Sequence, residues 1–211
     1  MTQHWPLTGL LLRTPALELR PMAEADLQAL AVLLPDDVEM DPDATRFAGL
    51  DDAANRAAVL YQSYWRAMGT WTPESWALTF VVRHRGEVVG CQGVEGDDFV
   101  RLRAVDSSSW LLPGARGRGW GVQARAAILA LAFGELGAET AITSAWHDNG
   151  ASLGVSRSLG YQPNGVSTHR RGDHRDEMYH LRLTREQWRA SPWPADIDVS
   201  GFEPCRPLFG L

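Results

Sequence analysis

The feature that most restricts the fold is a junction near the middle of the chain. An apolar run, Trp110-Leu111-Leu112, ends at Pro113-Gly114, and Ala115-Arg116-Gly117-Arg118-Gly119-Trp120-Gly121 follows. Beyond it Val122, Ala126, Leu129, Ala130 and Phe133 recur at helical spacing, and Gly137 stands where a helix ends. The segment reads as a strand, a glycine-rich loop and a helix over 119–136. A helix start carries unpaired backbone N–H groups and the positive end of the peptide dipoles. Glycines let a ligand approach that backbone, so the junction is suited to an anion, and a pyrophosphate is the natural occupant. Arg116 and Arg118 add charged donors. Two competing phosphate motifs are excluded. G-x-x-x-x-G-K-S/T needs lysine, and all 20 basic residues here are arginine. Gly117-x-Gly119-x-Gly121 has the wrong spacing for G-x-G-x-x-G. The same lack of lysine removes any lysine Schiff-base chemistry.

The periodicity on either side supplies the layers. Leu17-Glu18-Leu19-Arg20 alternates as a strand. Leu27, Leu30, Leu33 and Leu34 place a helix over 23–34, which Pro35 stops. An acidic loop over 36–43 precedes a second helix over 51–68. Residues 76–82 and 88–94 are β-branched and aromatic around the turn Arg85-Gly86-Glu87, and so form a hairpin. Residues 99–112 read as a long third strand. Past the central helix, 140–143 is a buried strand, Asp148-Asn149 offers an N-cap for a helix to Leu159, and 165–171 and 177–183 pair around Gly172-Asp173. The order β-α-α-β-β-β-α-β-α-β-β predicts an α/β fold with a mixed sheet. The expected organisation is one domain over 1–190, with its core at about 16–184, and an extension over 191–211 packed on the body or on a partner subunit.

Composition narrows the setting. A net charge of −6 disfavours non-specific nucleic-acid binding. No apolar run reaches the roughly 20 residues that span a bilayer. The first residues lack the basic flank and apolar stretch of a secretory signal. Cys91 and Cys205 make neither a disulfide framework nor a metal site. The expectation is a cytoplasmic protein without bound metal.

Arg116-x-x-Gly119-x-Gly121 is similar to the Q/R-x-x-G-x-G/A signature of the GNAT superfamily of N-acetyltransferases. One strand later, Asn149-Gly150-Ala151-Ser152 with Leu159-Gly160-Tyr161 resembles the N-x-x-S and L-G-F/Y segment of its RimJ/RimL-like branch. The resemblance covers about residues 16–184. It implies a mostly antiparallel, V-split sheet of about seven strands flanked by about four helices. It also implies acyl transfer to an amine from acetyl-CoA or another acyl-CoA such as succinyl-CoA. Gly117, Arg118, Gly119, Trp120, Gly121 and Val122, with Arg116, would wrap the pyrophosphate. Trp110, Leu111 and Leu112 would offer strand backbone to the pantetheine arm and the acyl carbonyl. Asn149 would bond that arm, with Ser152 and Ser156 beside the cofactor.

Direct transfer needs a base for the amine, a donor for the oxyanion and a proton for the leaving thiolate. Ser152 is the candidate proton donor. The base is open among Glu95, Asp106, His169, His174 and Asp176, with His169 titrating near neutrality and Asp106 lying on the strand that lines the site. Glu39, Asp41 and Asp43 would draw in a cationic amine, and Tyr61, Tyr64, Trp65, Trp71 and Trp76 could wall its site. A succinyl donor would call for a cation such as Arg83, Arg101, Arg103 or Arg170. The acceptor is expected to be a small amine, among them a polyamine or an aminoglycoside-like antibiotic, or a protein N-terminus. A homodimer is expected. The alternative is a catalytically weak acyl-CoA sensor or interaction module on the same fold.

Overall fold

The computed structural model describes residues 4–40 and 44–211. The elements in order are β1 (Leu11–Arg13), β2 (Glu18–Pro21), α1 (Leu27–Leu33), α2 (Asp52–Gly69), β3 (Trp76–His84), β4 (Glu87–Gly96), α3 (Phe99–Leu102), β5 (Ala104–Val105), β6 (Ser109–Leu111), α4 (Trp120–Ala130), β7 (Thr140–Trp146), α5 (Gly150–Ser158), β8 (Gln162–Arg171), β9 (His174–Thr184), α6 (Arg185–Ala190) and β10 (Asp198–Ser200). They form a six-stranded sheet, β10-β1-β2-β3-β4-β6, and a four-stranded sheet, β5-β7-β9-β8. Every strand pair is antiparallel except β5 with β7. This is an α/β fold with a mostly antiparallel sheet divided in two, as the resemblance implies.

The division arises on the segment expected as one long strand. Its first part is helical instead. Asp98 and Arg103 bracket α3 with φ of 44° and 47°, and the N–H groups of Arg101 and Leu102 donate to the Asp98 carbonyl. The β-like pattern of Phe99 and Val100 yields because the Phe99 ring inserts fully into the core against Trp76, 5.3 Å away. From 104 onward the chain is extended. Glu95 and Asp106 exchange backbone hydrogen bonds, as do Gly93 and Ser108, and β6 pairs with β4 in the same register. The other edge of this segment behaves differently. Ala104 and Val105 lie beside Thr140 and Ala141 of β7, but β6 has no partner there. The sheet therefore opens between β6 and the far end of β7.

Helix α4 lies under the opening, and residues 124–129 are all buried. It continues as one π-type turn over Leu131–Glu135. Ile128, Leu129 and Leu131 join Leu12, Leu19, Phe80 and Leu183 in the main core. The segment after Ala190 returns to the body. Its strand β10 pairs with β1, and Phe202, Cys205 and Phe209 are buried. Phe209 packs on Trp71 and Trp76 with ring centroids 5.2 and 4.9 Å apart. The apolar residues of the tail thus cover their own chain. No described helix is long and apolar enough to cross a membrane.

Candidate functional site

Two cavities meet at the opened strand. The smaller, about 670 Å³, lies between the separated strands, lined by Ser107–Leu111 on one side and Thr143, Ser144 and Trp146 on the other. Gly121, Arg125 and residues 149–152 close it from α4 and α5. The larger, about 1090 Å³, is bordered by α2, β3 and β4. Val38, Glu39, Ser108, Ser109 and Trp110 line both.

At the mouth of the smaller cleft, α4 begins after Gly119, whose φ of 76° places it in the left-handed region, as does 73° at Gly117. Space is open around both. Gly121 serves a different need, because a Cβ there would lie 3.2 Å from Val155 of α5 and 3.6 Å from Leu111. Its absence brings the helix start against both walls. The first intrahelical donor is the Gln123 N–H, which bonds the Gly119 carbonyl. The N–H groups of Trp120, Gly121 and Val122 precede it and have no place in the helical ladder. Val122 itself packs on the core.

The two loop arginines are placed differently from each other. Arg116 Nε donates to the Leu111 carbonyl at 3.0 Å, and its other nitrogens grip both carboxylate oxygens of Asp37. That partner holds the Asp37 carboxyl below its ordinary range. Arg118 is exposed and lies over the Trp120 ring at 5.2 Å. A second clamp sits at the far wall. Arg171 bonds Glu39, Asp148 and Asp176 and lies 5.0 Å from the Trp146 ring. The acidic loop is thus tied by its described carboxylates Asp37 and Glu39 across the cleft. Asp41, Asp43 and the first three residues lie outside the described residues.

The strand expectation narrows. Leu112 N–H donates to the Val89 carbonyl, and Trp110 stands opposite Cys91 in the ladder that also holds Ser108. Alternation along an antiparallel pair turns the backbones of Ser109 and Leu111 outward to the cleft instead. Trp110 contributes its side chain, packed beside Met22, Leu27 and Cys91.

On α5, Asn149 is the N-cap, its Oδ1 accepting from the Ser152 N–H at 3.0 Å. Ser152 is half-buried at the cleft wall. Ser156 does not face the cleft. It is 1 % exposed and its hydroxyl donates to the Ser152 carbonyl, the usual outlet for a serine inside a helix.

The candidate bases separate clearly. His169 is exposed on β8 and lines neither cavity; its Nε2 lies 2.7 Å from Ser167 Oγ and its ring faces the edge of Trp146. Asp176 is engaged by Arg171 and His147, and His174 sits beside Asp173. Glu95 and Asp106 are cross-strand neighbours in the larger cavity. Burial pushes both carboxyls above their ordinary range, and Asp106 and Asp97 push Glu95 further. Glu95 is open to the cavity solvent while the concave wall around it limits hydration.

Of the expected aromatic wall, Tyr64 and Trp76 line the larger cavity. Trp71 stacks on Trp76 and donates to the Leu208 carbonyl, so it serves the tail. Trp65 is exposed, 5.5 Å from Tyr61. Arg83, Arg101, Arg103 and Arg170 line neither cavity. Arg125, not among the residues expected at the site, is 2 % exposed at the floor of the smaller cleft. Its one signal is a charge amid Ala124, Ala126 and Ala127 in a helix with almost no polar face. Among the described residues no group of His, Cys, Asp and Glu could hold a metal ion.

Fold and site together define a transferase of the GNAT class. Residues 16–162 match the acetyltransferase (GNAT) domain family, and the chain belongs to that family. It is similar in structure to Mycobacterium smegmatis RimJ in complex with CoA-disulfide, at 18% identity over 92% of this chain and 98% of that one, with a TM-score of 0.66. It is also similar to a chimera of the spermidine N-acetyltransferase SpeG from Vibrio cholerae and hSSAT. That pair shares 13% identity over 83% of this chain and 99% of the other, with a TM-score of 0.65. At these identities the two likenesses establish the fold.

Proposed function

We propose that the protein is an acyl-CoA-dependent N-acyltransferase that moves an acetyl or a larger acyl group directly to a primary amine. The observation that carries this reading is the meeting of two cavities at Ser108, Ser109 and Trp110. One cavity suits a phosphorylated donor and the other an amine.

The fit to coenzyme A rests on the chain's own groups. The N–H groups of Trp120, Gly121 and Val122 would receive the pyrophosphate, with Arg116 and Arg118 beside it. Ser109 and Leu111 would bond the pantetheine arm as a neighbouring strand would, and Asn149 and Ser152 would face it from α5. When bound, the coenzyme supplies a thioester, a carbonyl activated for attack by an amine. The outward N–H of Ser109 or Leu111 is placed to receive the negative charge that develops on that carbonyl oxygen. Glu95 and Asp106 accept the proton of the incoming ammonium, directly or through water, and their raised pKa brings them nearer working pH. Ser152 would stand beside the leaving sulfur, its hydroxyl donating a hydrogen bond to the developing thiolate, while the proton released by the amine would finally reprotonate the sulfur through water.

The acceptor is a small amine or a protein N-terminus, drawn to the carboxylates of the larger cavity and flanked by Tyr64 and Trp76. Calorimetry with coenzyme A and acyl-CoA donors, followed by transfer assays on an amine panel, tests the reading. Binding with transfer is expected. Failure of every CoA species to bind would refute it, whereas binding without transfer to any amine would favour a sensor.

A further inference from the structure

We infer that the donor acyl group carries a terminal carboxylate, held by Arg125, so that the preferred donor is the CoA thioester of a short dicarboxylic acid. This rests on reading the smaller cleft as the donor site.

Arg125 is a full charge in an apolar helix. Its neighbours Ala124, Ala126 and Ala127 are buried, and its own side chain is nearly sealed from solvent. One nitrogen, Nη1, donates to Thr143 Oγ1 at 3.2 Å. Its Nε has no hydrogen-bond partner, and among the described residues no carboxylate lies within ion-pairing distance. Burying an unpaired guanidinium is strongly unfavourable unless a counter-charge arrives.

Two buried hydroxyls stand beside it, Ser107 Oγ at the cleft and Tyr161 behind it, with Tyr161 in side-chain reach of both Ser107 and Arg125. These hydroxyls can serve one another and the guanidinium, but they bring no negative charge to the floor of the cleft. Asp106 feels the Arg125 charge across the strand but does not pair with it. Its carboxylate lines the larger cavity on the other side of the strand and accepts from the Ser107 N–H at 2.6 Å.

Position along the cleft tells which part of a donor reaches these groups. The helix start and Arg116 lie at the wide mouth, where β6 and β7 are apart. Ser107, Thr143 and Arg125 lie at the apex, next to the point where Val105 still pairs with Ala141. Arg125 is four residues beyond Gly121, or roughly 6 Å along the helix. A donor anchored by its phosphates at the mouth has its acyl end directed to the apex. An acetyl methyl would leave the charge and its companions uncompensated there. A carboxylate two or three carbons beyond the thioester would meet the Arg125 fork and the Ser107 hydroxyl, with Tyr161 supporting both from behind.

Titration calorimetry of the full chain with free CoA, acetyl-CoA, malonyl-CoA and succinyl-CoA tests the inference. A dicarboxylic thioester is expected to bind at least tenfold tighter than acetyl-CoA. In Arg125→Met that preference should vanish while free-CoA affinity stays within about threefold of wild type. Arg125→Lys should recover part of it, and Tyr161→Phe should reduce it. Equal or tighter binding of acetyl-CoA by the wild-type protein overturns the inference, even if Arg125→Met fails to fold. That result would leave the donor-site reading standing, whereas no binding of any CoA species would remove both.

Discussion

Alanine at Gly119 and at Gly121 separates the loop's role in binding from its role in folding. A Cβ at Gly119 meets nothing within 4 Å, so the substitution is resisted only by backbone conformation. At a φ of 76° that amounts to about 1–2 kcal/mol. For a chain of this size the melting temperature should fall by roughly 2–8 °C. At Gly121 the Val155 methyl must withdraw a few tenths of an ångström from a 3.2 Å contact. Such crowding costs up to about 1 kcal/mol, and the helix gains about as much when alanine replaces glycine. Stability should barely move. Coenzyme binding should respond in both variants: at Gly119 because the methyl group enters the open space at the bare N–H groups, and at Gly121 because easing its contact with Val155 shifts the helix start that carries them. Losing one charge-assisted hydrogen bond there is worth about 1.5–3 kcal/mol, which corresponds to roughly 10- to 150-fold in Kd. Gly114→Ala is the control: its Cβ also meets nothing, its φ is not positive, and both readouts should stay unchanged. Calorimetric Kd values for CoA with parallel melting curves decide the matter. Wild-type affinity in Gly121→Ala and Gly119→Ala would refute the assignment of the helix start to the phosphates.

Two further outcomes follow from burial. The Glu95 carboxyl is raised by burial and by Asp106 and Asp97, so the folded chain holds its proton more tightly than the unfolded chain does. That stabilising contribution is complete below the ordinary glutamate range and is lost as pH rises through the raised value. Glu95→Gln should therefore melt higher than wild type at pH 7, with the advantage fading below the ordinary glutamate pKa, while transfer activity drops; a lower melting temperature at pH 7 would contradict this. Phe209→Ala removes a fully buried ring from the Trp71, Trp76 and Phe202 cluster. It should cost about 3–5 kcal/mol and roughly 6–20 °C, and a thermal melt within 2 °C of wild type, the bottom of roughly 2–4 °C per kcal/mol, would exclude the tail from the core.

Much of this architecture is written in local pattern. The hairpin of β3 and β4 follows from alternating β-branched residues around Arg85-Gly86, and the α4 junction from its glycines. Features that depend on distant partners were not readable. Phe99-Val-Arg-Leu has strand-like composition, and only the pocket against Trp76 makes it a helical turn. Strands β1 and β10 are three residues each and pair across the whole length of the chain. In the site, the glycine-rich start of α4 was legible because its residues are contiguous. Ser156 was misplaced because a helical serine can turn to solvent or to its own backbone, and His169 because strand spacing does not reveal which cavity a face meets. Arg125 needed the knowledge that every face of its helix is covered.

The two arginine clamps have an implication for the order of events. Asp37 occupies Arg116 and Glu39 occupies Arg171 at the rim of the smaller cleft, while Glu39 and its neighbour Val38 also wall the larger cavity. If the proposed donor binds here, a phosphate drawn to Arg116 would compete with Asp37, and the segment it loosens is the shared partition. The two ligands are thereby thermodynamically linked: whatever the donor does to acceptor affinity, the acceptor does equally to donor affinity. On the proposed reading, the carboxylates of one loop would act as a built-in competitor ion, released when the smaller cleft fills.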